Sequence, residues 1–487
     1  MSRKNGGIIG PANTPVGGLI TGLAGGVWRM NDVANFVGNS QWPLAPENID
    51  NSLRFNSGSS DNLSKSLSTP TNDKKFTFSC WFKKSKNATE MNLFGYQPSG
   101  NAEAYIGFST SDEIRYADRD SGDTTAEIFL VSNAKLRDVS AWYHVVVSVD
   151  TTQGTDSNRA KLYLNGEQIT SLANSTYPSQ NYTPEMNSSD GTKVIGADNN
   201  GNYFNGYIAE TVFIDGQALD PTSFGEFDTT TGIWKPKKIG QIANAGTNSF
   251  YLDFKDSSNV GKDASGLSNN FTVNNLTSID QSTDTCVENF ATLNPLDKGL
   301  SGCTVSEGNL KVVMTSGSYK DIKSTIGISS GKFYWETKLD ANPSEGALVG
   351  ITKMSVDGSN HSAVDDGRIV YQTNGNIYRN VLGLGSVDGV GTYTAGDIIS
   401  TALDMTNGTV KFYKNGTLVH TETNTTFESD TWSFYVAGND ATWSANFGNP
   451  SFSISSGNSD ANGFGNFEYS VPSGYYALNT SNLNTYG

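Results

Sequence analysis

The chain has 487 residues, a length that predicts more than one hydrophobic core. Aromatic residues make up 11% of it, which excludes a disordered chain, and the abundance of Gly, Asn, Ser and Thr favours β-structure with polar loops. The formal net charge of −16 would repel a phosphate backbone, so we expect no nucleic-acid binding.

Residues 1–48 are predicted to form an extended N-terminal arm rather than a domain. Glycine pairs and prolines interrupt this segment too often for a core of its own. It nevertheless carries large apolar side chains that a solvated linker would not need, notably Ile8, Ile9, Trp28, Phe36 and Trp42. Two interpretations stay open: these side chains pack on the first domain, or they dock on another subunit.

Residues 49–225 are predicted to form an all-β domain. Within residues 76–82, Phe and Cys alternate with Thr, Ser and Trp, which is the period-two pattern of a half-buried strand and predicts a buried Cys80. Residues 161–169 predict a β-hairpin around Asn165-Gly166, because both turn residues tolerate positive φ angles.

Residues 226–300 are predicted to form an irregular connector between two domains. Its basic stretch at 234–238 reads as a solvated segment, and a short strand is expected at 250–254.

Residues 301–450 are predicted to form a second all-β domain, followed by a Gly-, Ser- and Asn-rich tail at 451–487. An aromatic strand is expected at 332–339, and a second Asn-Gly hairpin is centred on Asn415-Gly416. The repeated hairpin indicates two sandwiches of related architecture.

The three cysteines are too few for a disulfide framework, although a bridge between Cys286 and Cys303 stays open. No stretch approaches the roughly 18 apolar residues that span a bilayer, so we expect no membrane insertion. The first ten residues lack an apolar signal region, and we expect synthesis in a cytoplasm without a secretory signal.

The first domain resembles the laminin-G/concanavalin-A-like jelly rolls. Four of that family's motifs occur in the family's order: an aromatic strand, a W-x-H-V strand, an L-Y-x-N-G hairpin and a G-x-I-x-E strand. They lie at residues 76–82, 142–145, 162–166 and 206–210.

The second domain resembles the SPRY domain, another concanavalin-like sandwich. The matching segments are residues 331–336, 349–351, 410–416 and 432–436. The fold class implied is all-β, with two concanavalin-like antiparallel β-sandwiches (jelly rolls), an extended N-terminal arm and an irregular connector.

The arm and the connector, particularly residues 230–236 and 246–252, resemble segments of structural proteins from marine tailed phages. This resemblance implies a virion protein that docks on other virion proteins through its arm. The role it favours is a tail-fibre or appendage adhesin that binds a host surface glycan or protein. A capsid-decorating or head-fibre protein is the alternative, and a glycan-cleaving enzyme is a distant one. Fibre proteins of this kind are homo-oligomers, trimers among them.

Catalysis has little support in the sequence. Jelly-roll glucanases carry their paired carboxylates as E-x-D-x-x-E on one strand. The closest match, Glu226 and Asp228, lacks the second glutamate and lies in the connector. His144 lies within a predicted strand and reads as structural. We therefore expect a protein that is not an enzyme.

Binding residues are expected on loops and strand ends, where tyrosine supplies a flat amphipathic face for a sugar or peptide. The candidates of the first domain are Tyr96, Tyr105, Tyr116, Asp118 and Arg119. The candidates of the second are Asp365, Asp366, Arg368, Tyr371, Tyr378 and Arg379.

Calcium is the one cofactor that the laminin-G resemblance suggests, because such domains often hold it through loop oxygens. The residues that offer oxygens near one strand end are Asp253, Asp256, Asp263 and Asn269. The alternative, that they are solvated turn residues, stays open.

Overall fold

The computed structural model describes residues 49–98, 102–120, 122–198, 200–239, 244–298, 302–356, 367–424 and 430–487. Outside these ranges lie the predicted arm, with Ile8, Ile9, Trp28, Phe36 and Trp42, and the predicted loop residues Asp365 and Asp366. About 45% of the structure is strand and 5% helix, arranged as two antiparallel β-sandwiches, which confirms the predicted fold class.

The first sandwich consists of two eight-stranded sheets, here called sheet I and sheet II, with strands numbered in chain order. Sheet I runs in the order β10 (Glu167–Gln168), β9 (Ala160–Leu164), β8 (Tyr143–Asp150), β3 (Lys75–Lys84), β13 (Gly206–Asp215), β1 (Ser52–Phe55) and β18 (Gln281–Ser282), with β16 (Phe250–Leu252) also paired to β13. Sheet II runs β11 (Leu172–Thr176), β7 (Ile128–Lys135), β6 (Glu113–Arg119), β5 (Glu103–Phe108), β4 (Met91–Gln97), β12 (Thr192–Ile195), β2 (Asn62–Ser66) and β17 (Thr272–Asn274).

The core of this sandwich forms where alternate side chains of the two sheets meet. On β3, Phe78, Cys80 and Phe82 are fully buried, as the period-two pattern predicts. Phe78 stacks on Phe94 of sheet II with ring centroids 4.9 Å apart. Burial of each such ring contributes on the order of 2 kcal/mol, so this aromatic layer is a main source of the domain's stability.

The segment expected to be an irregular connector contributes strands to the first sandwich. β16 and β18 extend sheet I and β17 extends sheet II. A separate hairpin, β14 (Gly225–Phe227) with β15 (Trp234–Pro236), lies against the outer side of sheet I. The first sandwich is therefore completed by residues well beyond 225.

Trp234 corrects the expectation that the basic stretch at 234–238 is solvated, because its side chain is buried. Its ring packs between Gly166 and Gly225, where an added Cβ would lie 2.4 Å from the indole in both cases. Its neighbour Lys235 is partly exposed and pairs with Glu226 and Asp228. An apolar ring thus anchors a stretch whose charges face solvent.

The second sandwich has a seven-stranded sheet III and an eight-stranded sheet IV. Sheet III runs β19 (Leu293–Lys298), β22 (Lys320–Ile328), β31 (Trp432–Gly438), β24 (Ala347–Lys353), β25 (Arg368–Gln372), β26 (Ile377–Arg379) and β27 (Leu384–Val387). Sheet IV runs β20 (Cys303–Ser306), β21 (Lys311–Met314), β32 (Thr442–Asn446), β23 (Lys332–Ala341), β28 (Ile398–Asp404), β29 (Thr409–Lys414) and β30 (Thr417–Thr423), with β33 (Tyr476–Ala477) parallel to β23.

The C-terminal tail packs on the outer side of sheet IV. Tyr334 of β23 contacts Phe467 edge-to-face at 5.1 Å, and a short helix, α1 (Thr480–Tyr486), follows β33. Among the helices in the described ranges, none combines the length and apolarity needed to cross a membrane.

Buried polar contacts join the two sandwiches. Asp284 accepts hydrogen bonds from Lys83 Nζ at 2.9 Å and Trp142 Nε1 at 3.0 Å, both on the first sandwich, and from Asn449 Nδ2 at 3.3 Å on the second. The Tyr207 hydroxyl also donates to the Gly308 carbonyl at 2.9 Å. Since a buried unpaired charge is strongly unfavourable, these contacts fix how the sandwiches meet.

None of the three cysteines forms a disulfide, so the bridge between Cys286 and Cys303 that the sequence left open does not form. Cys80 is buried within the first core, as predicted.

Candidate binding surfaces

A cluster of tyrosine and charged side chains lies at one end of the first sandwich. We call it the rim cluster and define it by Tyr96, Tyr116, Asp118, Tyr182 and Lys193. Asp118 is the last of the residues of β6 that face the core. Its carboxylate accepts hydrogen bonds from the Tyr116 hydroxyl at 3.2 Å and the Tyr182 hydroxyl at 2.8 Å. The cluster joins two of the predicted tyrosines to the predicted aspartate, but all five side chains are buried, which does not agree with the predicted role of Tyr96, Tyr116 and Asp118 as surface contacts.

Asp118 is enclosed by its own loops. The backbone amides of Glu185 and Met186 donate to its two oxygens at 2.9 and 3.2 Å. Burial raises its pKa to about 7, although these hydrogen bonds act in the opposite direction. The carboxyl is thus a buried group that titrates near neutrality rather than an open ligand contact.

Lys193 and Tyr96 form the second half of the rim cluster. The ammonium lies 3.9 Å from the Tyr96 ring centroid, and the Tyr96 hydroxyl donates to Asp190 Oδ2 at 2.7 Å. Burial lowers the pKa of Lys193 to about 8, against the attraction of Glu185, Asp118 and Asp190. Asp190 is exposed, so the cluster presents a carboxylate to solvent above buried partners.

The other two predicted residues of the first domain lie on the outer face of sheet II. Arg119 pairs with Glu103 at 2.9 Å, and the Arg115 guanidinium lies 4.7 Å from the Tyr105 ring centroid. These cross-strand contacts form a mixed polar and aromatic face. Tyr105 itself is buried beneath Arg115.

The outer face of sheet III carries the second candidate surface, which we call the tyrosine face. It is defined by Tyr319, Leu348, Arg368, Tyr378 and Tyr435. Tyr319 and Tyr378 are half-buried and pack on buried Leu348 and Tyr435. The Arg368 guanidinium lies 4.7 Å from the Tyr435 ring centroid and pairs with Asp321 at 3.2 Å. Arg368 is itself only 2% exposed, so its predicted role as a ligand contact does not agree with its position. The two half-buried tyrosines are what this face offers to a polar ligand.

The remaining two predictions of the second domain are placed elsewhere. Tyr371 points into the core, where its hydroxyl donates to the Gly391 carbonyl, because it alternates with the outward-facing Arg368 and Val370. Its predicted role as a surface contact does not agree with this position. Arg379 bridges the two sheets through Glu422 at 3.0 Å, which reads as a structural contact.

The four residues predicted for calcium do not converge. Asp263 accepts the amides of Tyr251, Ser265 and Asn269 at 2.8–2.9 Å, and so holds its own loop. Asp256 pairs with Lys262 at 2.9 Å, and Asp253 Oδ1 accepts the amide of Lys255 at 3.2 Å. Asn269 donates to the carbonyls of Thr247 and Ser249 at 2.8 Å. Within the described ranges, no three His, Cys, Asp or Glu side chains come together to hold a metal ion.

Glu226 and Asp228 do not form an acid–base pair. Both contact Lys235, and Asp228 also accepts the amides of Thr230 and Thr231 at 2.9 Å. These turn amides, together with Lys235, hold the pKa of Asp228 well below its usual range. Asp228, held ionised in this way, cannot supply a proton to a leaving group near neutral pH.

Sequence reasoning missed Tyr182, Lys193, Tyr319 and Tyr435. Tyr182 lies in an irregular loop, where no periodic pattern indicates its direction. Tyr435 could have been found, since Phe434 and Val436 face the core and strand alternation places it on the outer face.

The fold and these surfaces define the class of protein: two concanavalin-like β-sandwiches in tandem, whose outer faces and rim carry tyrosines and charged groups. Residues 56–222 match a laminin-G-type family model described as the concanavalin A-like lectin/glucanases superfamily. Residues 332–448 match the model of the SPRY domain.

Two solved structures are similar to the second part of the chain. The SPRY domain of human HERC1 is 22% identical, covers 31% of this chain and 96% of its own, and has a TM-score of 0.27. The TRIM65 PSpry domain is 13% identical, covers 32% of this chain and 88% of its own, and also has a TM-score of 0.27.

A concanavalin-like domain and a SPRY domain therefore occur in the order that the motifs predicted. Domains of these two kinds are typically non-catalytic binding domains. Together they fit a ligand-binding role of the adhesin type.

Proposed function

We propose that this chain is a virion protein of a tailed phage, and that it serves as a tail-fibre or appendage adhesin for a host surface glycan or protein. The sequence of the arm and the connector supports the phage assignment through its resemblance to phage structural proteins. The tandem of two binding domains supports the adhesin role. Assembly in the virion follows from this proposal, with the arm docked on other virion proteins.

The observation that carries the adhesin role is the buried junction at Asp284. Its hydrogen bonds to Lys83, Trp142 and Asn449 hold two binding domains in one relative orientation. A ligand surface that meets one domain therefore meets the other at a fixed distance. Fixed spacing raises the effective concentration of the second contact, which turns two weak contacts into firm adhesion.

Oligomerisation strengthens the same effect. A trimeric fibre with several copies on each particle presents many tyrosine faces at once. Individual contacts then need only modest affinity, since avidity accumulates over copies. No catalytic step is required for adhesion, and the protein acts as a binding protein rather than an enzyme.

Binding of the purified full-length chain to host cells tests this function. We expect labelled protein to bind host cells saturably, and antibody raised against it to block adsorption of the phage. The double variant Tyr319→Ala/Tyr378→Ala should weaken binding about tenfold or more, because both rings lie on the tyrosine face. Phe227→Ala removes a more exposed ring, 47% exposed, on the hairpin of β14 and β15 and serves as the control outside the tyrosine face.

Location in the particle separates the adhesin from the alternative. A virion reconstruction should place the chain on the tail or its appendages. Density on the head, with no binding of the purified chain to host cells, would replace the adhesin with a capsid-decorating protein.

A further inference from the structure

A groove of about 530 Å³ runs along the boundary between the two sandwiches. Asp61 and Asp280 line it from the side of the first sandwich, and Glu307, Lys338 and Asp340 line it from the second. A second hollow of about 260 Å³ shares Ile279, Phe452 and Ser453 with it. The groove is therefore a feature that neither domain has by itself.

Most of the charges in the groove are already paired. The buried Arg54 contacts Asp280 at 3.3 Å and Glu307 at 3.7 Å. Lys338 contacts Asp340 at 3.3 Å. These pairs neutralise most of the groove, but its four carboxylates exceed the three basic side chains Lys311, Lys338 and Arg54 by one, so its net formal charge is −1.

Asp61 is the exception among the carboxylates of the groove. It is only 3% exposed, and its Oδ2 accepts the Asn56 amide at 2.9 Å. Its Oδ1 accepts no well-aligned hydrogen bond from the described part of the chain, although the Ser59 hydroxyl is near enough to favour the ionised form of the carboxyl and lower its pKa. The hydroxyl of Ser451, a second lining residue, is likewise buried without a partner in the described ranges. Buried polar atoms without partners are unfavourable, and a ligand that donates hydrogen bonds would satisfy them.

An apolar patch lies beside these polar atoms. Phe452 is half-buried, with the Lys338 ammonium 5.7 Å from its ring centroid, and Ile279 is 38% exposed. An aromatic ring next to hydroxyl and carboxylate acceptors matches a sugar ring, which has an apolar C–H face and hydroxyl groups around its edge.

The walls of the groove are held in place before any ligand arrives. Arg54 donates to the carbonyls of Ile279 and Pro450, at 2.9 and 3.1 Å, and so ties the two sides together. Tyr207 and Gly308 are in contact behind it, and a Cβ on Gly308 would lie 2.2 Å from the tyrosine oxygen. A preformed site avoids the entropy loss of ordering its walls on binding.

We propose that this groove is a saccharide-binding site, and that it favours neutral sugars and amino sugars over acidic ones. The unpartnered Asp61 oxygen takes a hydroxyl or ammonium donor, and Phe452 stacks on the sugar ring. Four carboxylates face two lysines and one arginine there, so an added carboxylate or sulfate on the ligand is repelled. This inference rests on the proposed function and names a ligand class and a place for it.

The experiment uses the full chain and a panel of soluble oligosaccharides built from hexoses, hexosamines with free amino groups, and uronic acids. Saturation-transfer NMR and titration calorimetry should detect the first two groups and not the third. Phe452→Ala should weaken binding about tenfold, while Phe452→Tyr keeps the ring and most of the affinity. Asp61→Asn should weaken binding and reduce the preference for amino sugars. Phe227→Ala serves as the control outside the groove.

The outcomes separate this inference from the adhesin role. If no sugar of the panel binds, or if the Phe452→Ala and Asp61→Asn variants bind like wild type, the groove is not the site, whether or not host cells are bound. If the groove variants lose sugar binding in solution, the inference holds. Failure of the whole chain to bind host cells overturns the adhesin role alone. Trp fluorescence unfolding curves confirm that each variant is folded.

Discussion

The indole N–H of Trp234 donates a hydrogen bond to Nδ1 of His144 at 3.1 Å. The other ring nitrogen, Nε2, lies 2.8 Å from the Ser79 hydroxyl. Because Nδ1 accepts, the proton of the neutral imidazole lies on Nε2 and is donated to Ser79. Through these two hydrogen bonds, His144 connects β3 with the hairpin that covers it. Burial lowers the pKa of His144 to about 3.

His144 makes the protein less stable as the pH falls. The unfolded chain takes up a proton at His144 near pH 6.5, whereas the folded chain does not until about pH 3. Its contribution is therefore present above pH 6.5 and is lost as the pH falls through this window, by up to about 1.4 kcal/mol per pH unit. In His144→Gln the destabilisation measured by urea unfolding at pH 7.5 should shrink towards pH 4. An unchanged difference would contradict the buried neutral histidine.

Asp118 has the opposite dependence on pH. Its pKa of about 7 in the folded state lies above the value near 3.9 of an unfolded chain. Its contribution is therefore present below pH 4 and is lost as the pH rises towards 7, by up to about 1.4 kcal/mol per pH unit. Asp118→Asn should gain stability relative to wild type between pH 4 and pH 7. A constant difference across that window would show that the carboxyl is ionised throughout.

The junction between the sandwiches depends on Asp284. Asp284→Ala leaves Lys83 buried without its counter-ion, which should destabilise the protein by about 3–5 kcal/mol. Calorimetry should show a single unfolding transition for wild type and separate transitions for the two sandwiches in the variant. Asp256→Ala removes an exposed pair with Lys262 and should leave the profile unchanged. A single transition in Asp284→Ala would mean that other contacts couple the domains.

Gly166 is constrained by its backbone and by its neighbour. Its φ angle is +83°, and a Cβ would lie 2.4 Å from the Trp234 ring. Gly266 has a φ angle of +87°, and no atom of the described residues lies within 4 Å of such a Cβ. Gly266→Ala therefore isolates the cost of the backbone conformation, about 1 kcal/mol. Gly166→Ala should be more destabilising by a further 1–3 kcal/mol. Equal unfolding midpoints for the two variants would show that Trp234 moves aside freely.

Much of the fold could be predicted from local sequence patterns. Both Asn-Gly hairpins form, with φ angles of +48° at Asn165 and Asn415, because a two-residue turn of this type needs positive φ at both positions. The strand at 332–339 is likewise present within β23. Such features depend only on neighbours in the chain.

Pairing between strands that are far apart in the chain could not be predicted from sequence patterns. Ser282 of β18 pairs with Ser52 of β1 across more than 200 residues, and two-residue strands have no periodicity to detect. The same limit applied to the rim cluster. Tyr116 and Asp118 were both named as candidates from the sequence, but only the folded loops bring Tyr182 and Lys193 to them.

The late position of β16 to β18 in the chain has a consequence for biosynthesis. A nascent chain released up to residue 225 would have an unpaired edge on β1 and an uncovered outer face of sheet I, since Trp234 and Ser282 have yet to emerge. The ribosome must add nearly sixty more residues before the last strand can close the first sandwich. Until then the exposed strand edge can pair with another nascent chain. Misassembly would therefore begin on the polysomes that translate this message.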